Sequence, residues 1–315
     1  MKPLCIAAAA ALLAAPALAH EETPPAPIPP SPYGPDDTIG AMNNLSAEKT
    51  VAAASLVKTG KVYALGVVTD PSTPSYPGRS YRAVITQSAV AGQPVAENRI
   101  TAHDDLIVAN LGIGTQIDGF AHMGIDNHHY NGKRADEVYG LEGVKLYGTE
   151  NIPPAATRGI LLDMAKLYGV DHLPANTAFN RAEIDRAAAA AGVTIERGDV
   201  VLFHTGWMAA KAESAPGEYI ATQPGLGKEG AEYLASLGVV MVGADTAALD
   251  AIPGENPARP FPAHLHFLAK TGVHILENID TNALAADGAD EFLFVLGVPR
   301  FAGPVQMVVN PVAVR

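Results

Sequence analysis

Four short apolar runs recur through the second half of the chain: GILLDM (159–164), DVVLFHTGW (199–207), VVMVGAD (239–245) and VHILENID (273–280). Runs this short, bounded by glycine or polar residues, read as buried strands. The stretches between them carry helix signals. Asn180 is placed to cap a helix, with Glu183 reaching back, ahead of a face made by Ile184, Ala187, Ala188 and Ala191. GKEGAEYLASLG stops at Gly238, and a helix from about Ala263 to Lys270 leads through Thr271 and Gly272 into the last run. Upstream, Ser46 to Gly60 reads as a helix, and KVYALGVV (61–68) and YRAVITQ (81–87) as strands; FLFVLGV (292–298) and PVQMVVNPVAV (304–314) close the chain as strands. Strands joined by crossover helices predict an α/β or α+β domain on a mixed sheet. With no internal repeat and no linker after residue 40, residues 38–315 are expected to form one catalytic domain.

The start of the chain stands outside this pattern. Residues 1–19 have a positive start at Lys2, an apolar Ala/Leu run and a small-x-small end at Ala17-Leu18-Ala19, which together predict a cleaved export signal. The run is too short to span a bilayer and Pro16 interrupts it; no Arg-Arg pair suggests the twin-arginine route. The mature protein is therefore expected in the periplasm or outside the cell. Residues 20–37 are Pro-rich and read as an extended segment, mobile or laid along the surface. Cys5, the one cysteine, falls in the leader, so the mature chain has no disulfide, thiolate metal site or cysteine nucleophile. A formal charge of −12 argues against nucleic acid or an anionic membrane as partner and leaves small molecules.

Several chemistries lack a home. Gly225-Leu226-Gly227-Lys228-Glu229-Gly230 matches the dinucleotide fingerprint by letter, but no strand feeds the turn, so it reads as a helix entry. There is no G-x-S-x-G elbow, no phosphate-binding G-x-x-x-x-G-K-[ST] and no H-E-x-x-H.

GTQIDGFAHMG (114–124) does offer a site. If 114–118 is extended, Gln116 and Asp118 point to one side, and His122 re-enters close by. An amide oxygen, a carboxylate and an imidazole suit a divalent cation such as zinc or manganese; alternatively, such residues satisfy neighbouring backbone groups. Downstream, PAHLHFLAKTGVHILENID carries His264, His266 and Glu277. His264 and His266 face nearly opposite ways on a helix, so one of them can enter the site. Glu277 lies among apolar neighbours, where a carboxylate must be ion-paired, hydrogen-bonded or metal-bound.

The stretch Gly112-Ile113-Gly114-Thr115-Gln116-Ile117-Asp118-Gly119-Phe120-Ala121-His122 resembles the H-x-G-T-H-x-D-x-P-x-H signature of the Putative cyclase family, which includes bacterial kynurenine formamidases, isatin hydrolases and trans-dienelactone hydrolase. ITQ near residue 87, TRGILLDMAKLYGVDHLP, RGDVVLFHTGW, VGADTAALD and GVHILEN match in order, from about residue 36 to the C-terminus. The resemblance implies a swivelling β/β/α fold, often in an oligomer, here a dimer or tetramer, and hydrolysis of an amide or lactone by metal-activated water. It implies Asp118, Glu277 and a downstream histidine as metal ligands, with His264 first and His266 second by spacing, and His122 as general acid/base. Gly112 and Gln116 depart from the signature's two histidines. One metal held by Gln116, Asp118, His264 and Glu277 is therefore expected, on a branch closer to lactone hydrolases. Phe120 and Tyr130 are expected to line the substrate pocket, and His128 and His129 to be loop residues. His204 is expected in the core or behind the ligands, and Asp245 to orient a ligand or cap a helix. The rival functions are a metal-dependent lyase or cyclase and a degenerate periplasmic binding protein.

Overall fold

The computed structural model describes residues 28–87 and 94–315; the expected leader and the first part of the Pro-rich segment lie outside these. A nine-stranded sheet forms its centre, in the spatial order Val62–Ala64, Val312–Val314, Glu291–Leu296, Ala155–Asp163, Val200–His204, Met241–Ala244, His274–Glu277, Gln116–Asp118, Gln306–Val308. The four strands from Ala155–Asp163 to His274–Glu277 run parallel, and every other pairing in the sheet is antiparallel. The mixed α/β architecture expected from the sequence is the one observed.

The parallel strands read as continuous apolar runs because both faces are covered. Ile160, Leu162, Val201, Phe203, Val242 and Ile275 pack under the crossover helices with Ile184, Leu234 and Phe267. The alternate residues Leu161, Val200, Leu202, Met241 and Leu276 meet Ile117, Phe292, Phe294 and Met307 on the other side. The crossover helix Arg181–Ala191 begins with the expected capping box of Asn180 and Glu183 and ends at Gly192 in the left-handed region.

Two elements differ from the sequence reading, and a third is the expected strand paired outside the main sheet. Residues 304–314 form two strands, separated at Pro311, that sit towards opposite edges of the sheet. The few residues linking them reach about 14 Å, whereas seven strand spacings in a flat sheet would need about 34 Å. The sheet must therefore curl until its edges approach, and Leu65 N donates to Pro311 O while Asp280 N donates to Leu65 O across that closure. The expected strand 61–68 is limited to Val62–Ala64. Tyr81–Gln87 is a strand, but it pairs with His103–Ala109 in a separate hairpin that exposes Ile85, Leu106, Ile107 and Val108. The end of the Pro-rich segment lies against the body: Ser31 N donates to Asn131 Oδ1 and Tyr130 Oη to Asp37 Oδ2. No helix among the described residues is long and apolar enough to cross a membrane.

Candidate metal centre

Sheet register places the polar residues. Gln116 pairs with Glu277, and Asp118 pairs with Ile275 on one side and Gln306 on the other. Directly paired residues share a face, and so do residues two apart. Gln116, Asp118, Glu277 and Gln306 therefore stand together on the helix-covered face, near one edge of the sheet. His264 arrives from the crossover. It ends a short helix, Pro262–His264, and the expected helix to Lys270 is instead a π-helix, Leu265–Thr271. Such wider turns re-aim side chains and recur at functional sites.

The result is a buried cluster. Asp118, His264 and Glu277 each bring one ligand atom within 4.8 Å of the others'. His264 Nε2 is 3.0 Å from Glu277 Oε1 and 3.5 Å from Asp118 Oδ2. Its Nδ1 lies 2.6 Å from Asp250 Oδ2, and Asp250 is itself held by the backbone N–H groups of Ala263 and His264. Gln306 Nε2 donates to Asp118 Oδ1 at 2.8 Å. Asp118 Oδ2 and Gln116 Oε1 are buried with no hydrogen-bond partner among the described residues.

Electrostatics follow from this crowding. Burial and the adjacent Asp118 charge push the Glu277 carboxyl up to about 7. Burial also disfavours the Asp118 charge, but His122 and His264 outweigh it and hold that carboxyl at about 2. Burial opposes a charged His264, yet the three carboxylates around it raise its imidazole well above the usual range. Two buried carboxylates converge on this imidazole and Asp250 stands behind it, so the site concentrates more negative charge than one imidazolium offsets. With an orphaned carboxylate oxygen inside it, this donor set fits a divalent cation.

His122 stands at the rim, partly buried, its ring centroid 6.4 Å from that of His264. Burial keeps its imidazole below the ordinary range. Gln116 reaches the cluster by its amide nitrogen rather than the expected oxygen: Nε2 donates to Glu277 Oε2 at 2.7 Å and to Asp118 Oδ1 at 3.3 Å. Its role in this geometry is to hold the two carboxylates together. His266 does not enter. It faces the opposite side of the turn, edge-on to Phe267 and within the field of Glu232, Lys270 and Lys228. Phe120 and Tyr130 are interior residues rather than pocket walls. Phe120 stacks on His274 at 4.4 Å, and the Tyr130 hydroxyl is satisfied by Ser31 and Asp37. His128 and His129 both lie outside the named helices and strands, as expected of loop residues, but His129 is buried there whereas His128 is partly exposed. His204 Nδ1 lies 2.8 Å from Thr281 Oγ1, and Asp245 accepts from Thr205 N and Gly206 N at the entry to the helix Trp207–Lys211.

Sequence reasoning missed Asp250, Gln306, Arg79 and Tyr76. Asp250 ends the VGADTAALD motif, a signal that was legible; Gln306 needed the strand register. Arg79 Nη1 donates to Gly112 O, and the Tyr76 hydroxyl is buried without a hydrogen-bond partner among the described residues. A cleft of about 430 Å³ opens alongside, lined by Gly114, Tyr219 and Asn278 and by Asp70, Ser72 and Thr73.

Comparison with known proteins agrees with this architecture. A solved structure described as a novel cyclase has 26% identity and a TM-score of 0.81, over 90% of this chain and 96% of that one. An isatin hydrolase bound to the product analogue thioisatinate has the same fold at 17% identity and TM-score 0.60, over 85% and 98%. So does a protein from Bacillus stearothermophilus described as a predicted metal-dependent hydrolase, at 18% and 0.50, over 81% and 98%. No curated protein matches the chain. The model of the Putative cyclase family matches residues 50–251, a span that contains Gln116, Asp118, His122 and Asp250. With most of its length matched by the family model and the fold shared over 90% of it, the chain belongs to the Putative cyclase family.

Proposed function

We propose that the protein is a metal-dependent hydrolase of a small cyclic or aryl amide or lactone, using zinc or manganese and exported by its leader. The observation that carries this reading is the convergence of Asp118, Glu277 and His264 from remote segments on one buried point. Asp118 and Glu277 provide two negative charges, and His264 provides Nε2 because Asp250 occupies Nδ1. The chemistry a divalent ion supplies when bound there is polarisation of a carbonyl oxygen and a lowering of the pKa of water towards about 7.

The chain's own groups do the rest. His122, kept neutral by burial, takes the proton as the water oxygen bonds to the carbonyl carbon. It returns that proton to the nitrogen or oxygen that leaves as the C–N or C–O bond breaks. Gln116 and Gln306 donate to the carboxylates and keep them aimed. The hydrolase reading, as distinct from these residue roles, is favoured by neighbours of the same fold described as an isatin hydrolase and a predicted metal-dependent hydrolase.

The test is elemental analysis of protein purified without added metal, followed by a panel of aryl formamides, cyclic amides and lactones in ¹⁸O-water. A retained stoichiometric metal and product labelled with solvent oxygen are expected. A metal-free protein that gains no turnover on reconstitution, or an unlabelled product, overturns the reading.

A further inference from the structure

The Gly112 position, where the family signature carries a histidine, is shaped by a partner elsewhere in the chain. The strands Tyr81–Gln87 and His103–Ala109 pair with Tyr81 opposite Ala109. Their base is closed by Ser80 N to Asn110 Oδ1 and Asn110 N to Ser80 O. The residues just beyond that closure are Arg79 and, two past Asn110, Gly112. A Cβ at Gly112 would lie 2.6 Å from Gln306 Oε1 and 2.9 Å from Arg79 Nη1. The guanidinium thus fills the space that a side chain at 112 would need. It is also a neighbour of Gln306, which is bonded to Asp118.

Among the described residues the partners of this guanidinium are neutral. Nη1 donates to the Gly112 carbonyl, and Cζ stands 5.2 Å from the Tyr76 ring centroid. Tyr76 and Arg79 are fixed to one another by a turn, Arg79 N to Tyr76 O at 3.1 Å, with Gly78 in the left-handed region at φ +89. The Tyr76 hydroxyl is buried and has no hydrogen-bond partner among the described residues. Both side chains lie within electrostatic reach of the cluster: Glu277 and His264 act on Tyr76, and Arg79 acts on Glu277 and His122. A planar fork of N–H donors beside a free hydroxyl has the geometry for a carboxylate.

We propose that Arg79 and the Tyr76 hydroxyl form an anion-binding pair that receives a carboxylate on the substrate, placing its scissile bond over the Asp118–His264–Glu277 cluster. The pair makes the preferred substrate an amide or lactone that already carries a negative charge. It deepens the hydrolase reading and rests on it for the identity of the reaction, but charge preference is measurable without turnover.

The probes are benzoate and benzamide, which share size and differ in charge, titrated calorimetrically into the mature protein as purified. Wild type is expected to bind benzoate about tenfold more tightly than benzamide, the scale of a hydrogen bond to a charged group, with the preference shrinking as salt is raised. Arg79→Met is expected to abolish the preference at unchanged metal content, and Tyr76→Phe to reduce it. Gly112→Ala, which leaves Arg79 in the sequence but takes its space, is expected to do the same as Arg79→Met. Its clashes are with flexible side-chain ends, so it reports even if Arg79→Met misfolds. Equal binding of the two probes by wild type overturns the proposal. So does a preference that survives in both Arg79→Met and Gly112→Ala, because benzoate is then held elsewhere. A metal-free wild type that gains no turnover on reconstitution would sink the hydrolase reading and leave this result standing on its own.

Discussion

His264 Nδ1 sits 2.6 Å from Asp250 Oδ2, and this contact decides which nitrogen the imidazole turns towards Asp118 and Glu277. Outer carboxylates of this kind fix the tautomer and orientation of a ligating histidine. Asp250→Asn is expected to weaken metal binding about 10–100-fold with the fold intact. Chelator competition measures this, and an unchanged affinity would remove Asp250 from the site.

His122 stands at the rim, and its ring touches neither carboxylate oxygen by hydrogen bond or ion pair. His122→Ala is expected to lower turnover by about 10²–10⁴-fold, the range for a positioned acid/base, while metal content stays at the wild-type level. Parallel loss of metal and rate would make it a ligand instead.

The glycine run 225–230 serves packing. A Cβ on Gly225 would fall 2.3 Å from the Asp250 carbonyl carbon and 2.5 Å from Ala251 N, backbone atoms that cannot step aside. Gly225→Ala is expected to cost about 2 kcal/mol or more, read as a lower urea midpoint, and to loosen metal binding through Asp250. Gly217→Ala, where a Cβ meets nothing within 4 Å, is the control and is expected to leave the midpoint unchanged or raised.

Burial pushes the His274 imidazole down to about 4 from an ordinary 6.5. The unfolded chain therefore binds this proton first, and stability present above pH 6.5 is lost as the pH falls towards 4. Each pH step in that window is worth about 1.4 kcal/mol per proton, so His274 contributes on the order of 3 kcal/mol to the acid limb. His274→Asn should flatten that limb in urea midpoints taken at pH 7, 5 and 4. An identical slope in wild type and variant would refute the assignment.

Self-association is expected through the paired strands 81–87 and 103–109, where Ile85 and Ile107 are 67% and 60% exposed. A two-stranded ribbon is marginal alone, and a second copy of the same ribbon offers it a matching apolar face. Light scattering should give a dimer or tetramer, and Ile107→Asp should shift it towards monomer; a monomeric wild type would contradict this.

The local code was legible in the sequence wherever the physics is local. Unbroken apolar runs announced strands covered on both faces, and Asn180 with Glu183 marked a helix start. The even spacing of Gln116 and Asp118 put both on one face. Opposed histidines at 264 and 266 left one to enter, although the sequence could not say that a π-turn would aim it. What the sequence did not contain is register and closure. Only the pairing of Gln306 with Asp118 and Glu277 with Gln116, in a sheet curled on itself, brings these groups to one point. Phe120 and Tyr130 carry pocket-like letters, but neighbours far along the chain cover them. Arg79 carried no motif at all, because its meaning lies in the empty space at Gly112. Contacts between residues remote in the chain depend on how the strands align, and no short window of sequence encodes that alignment.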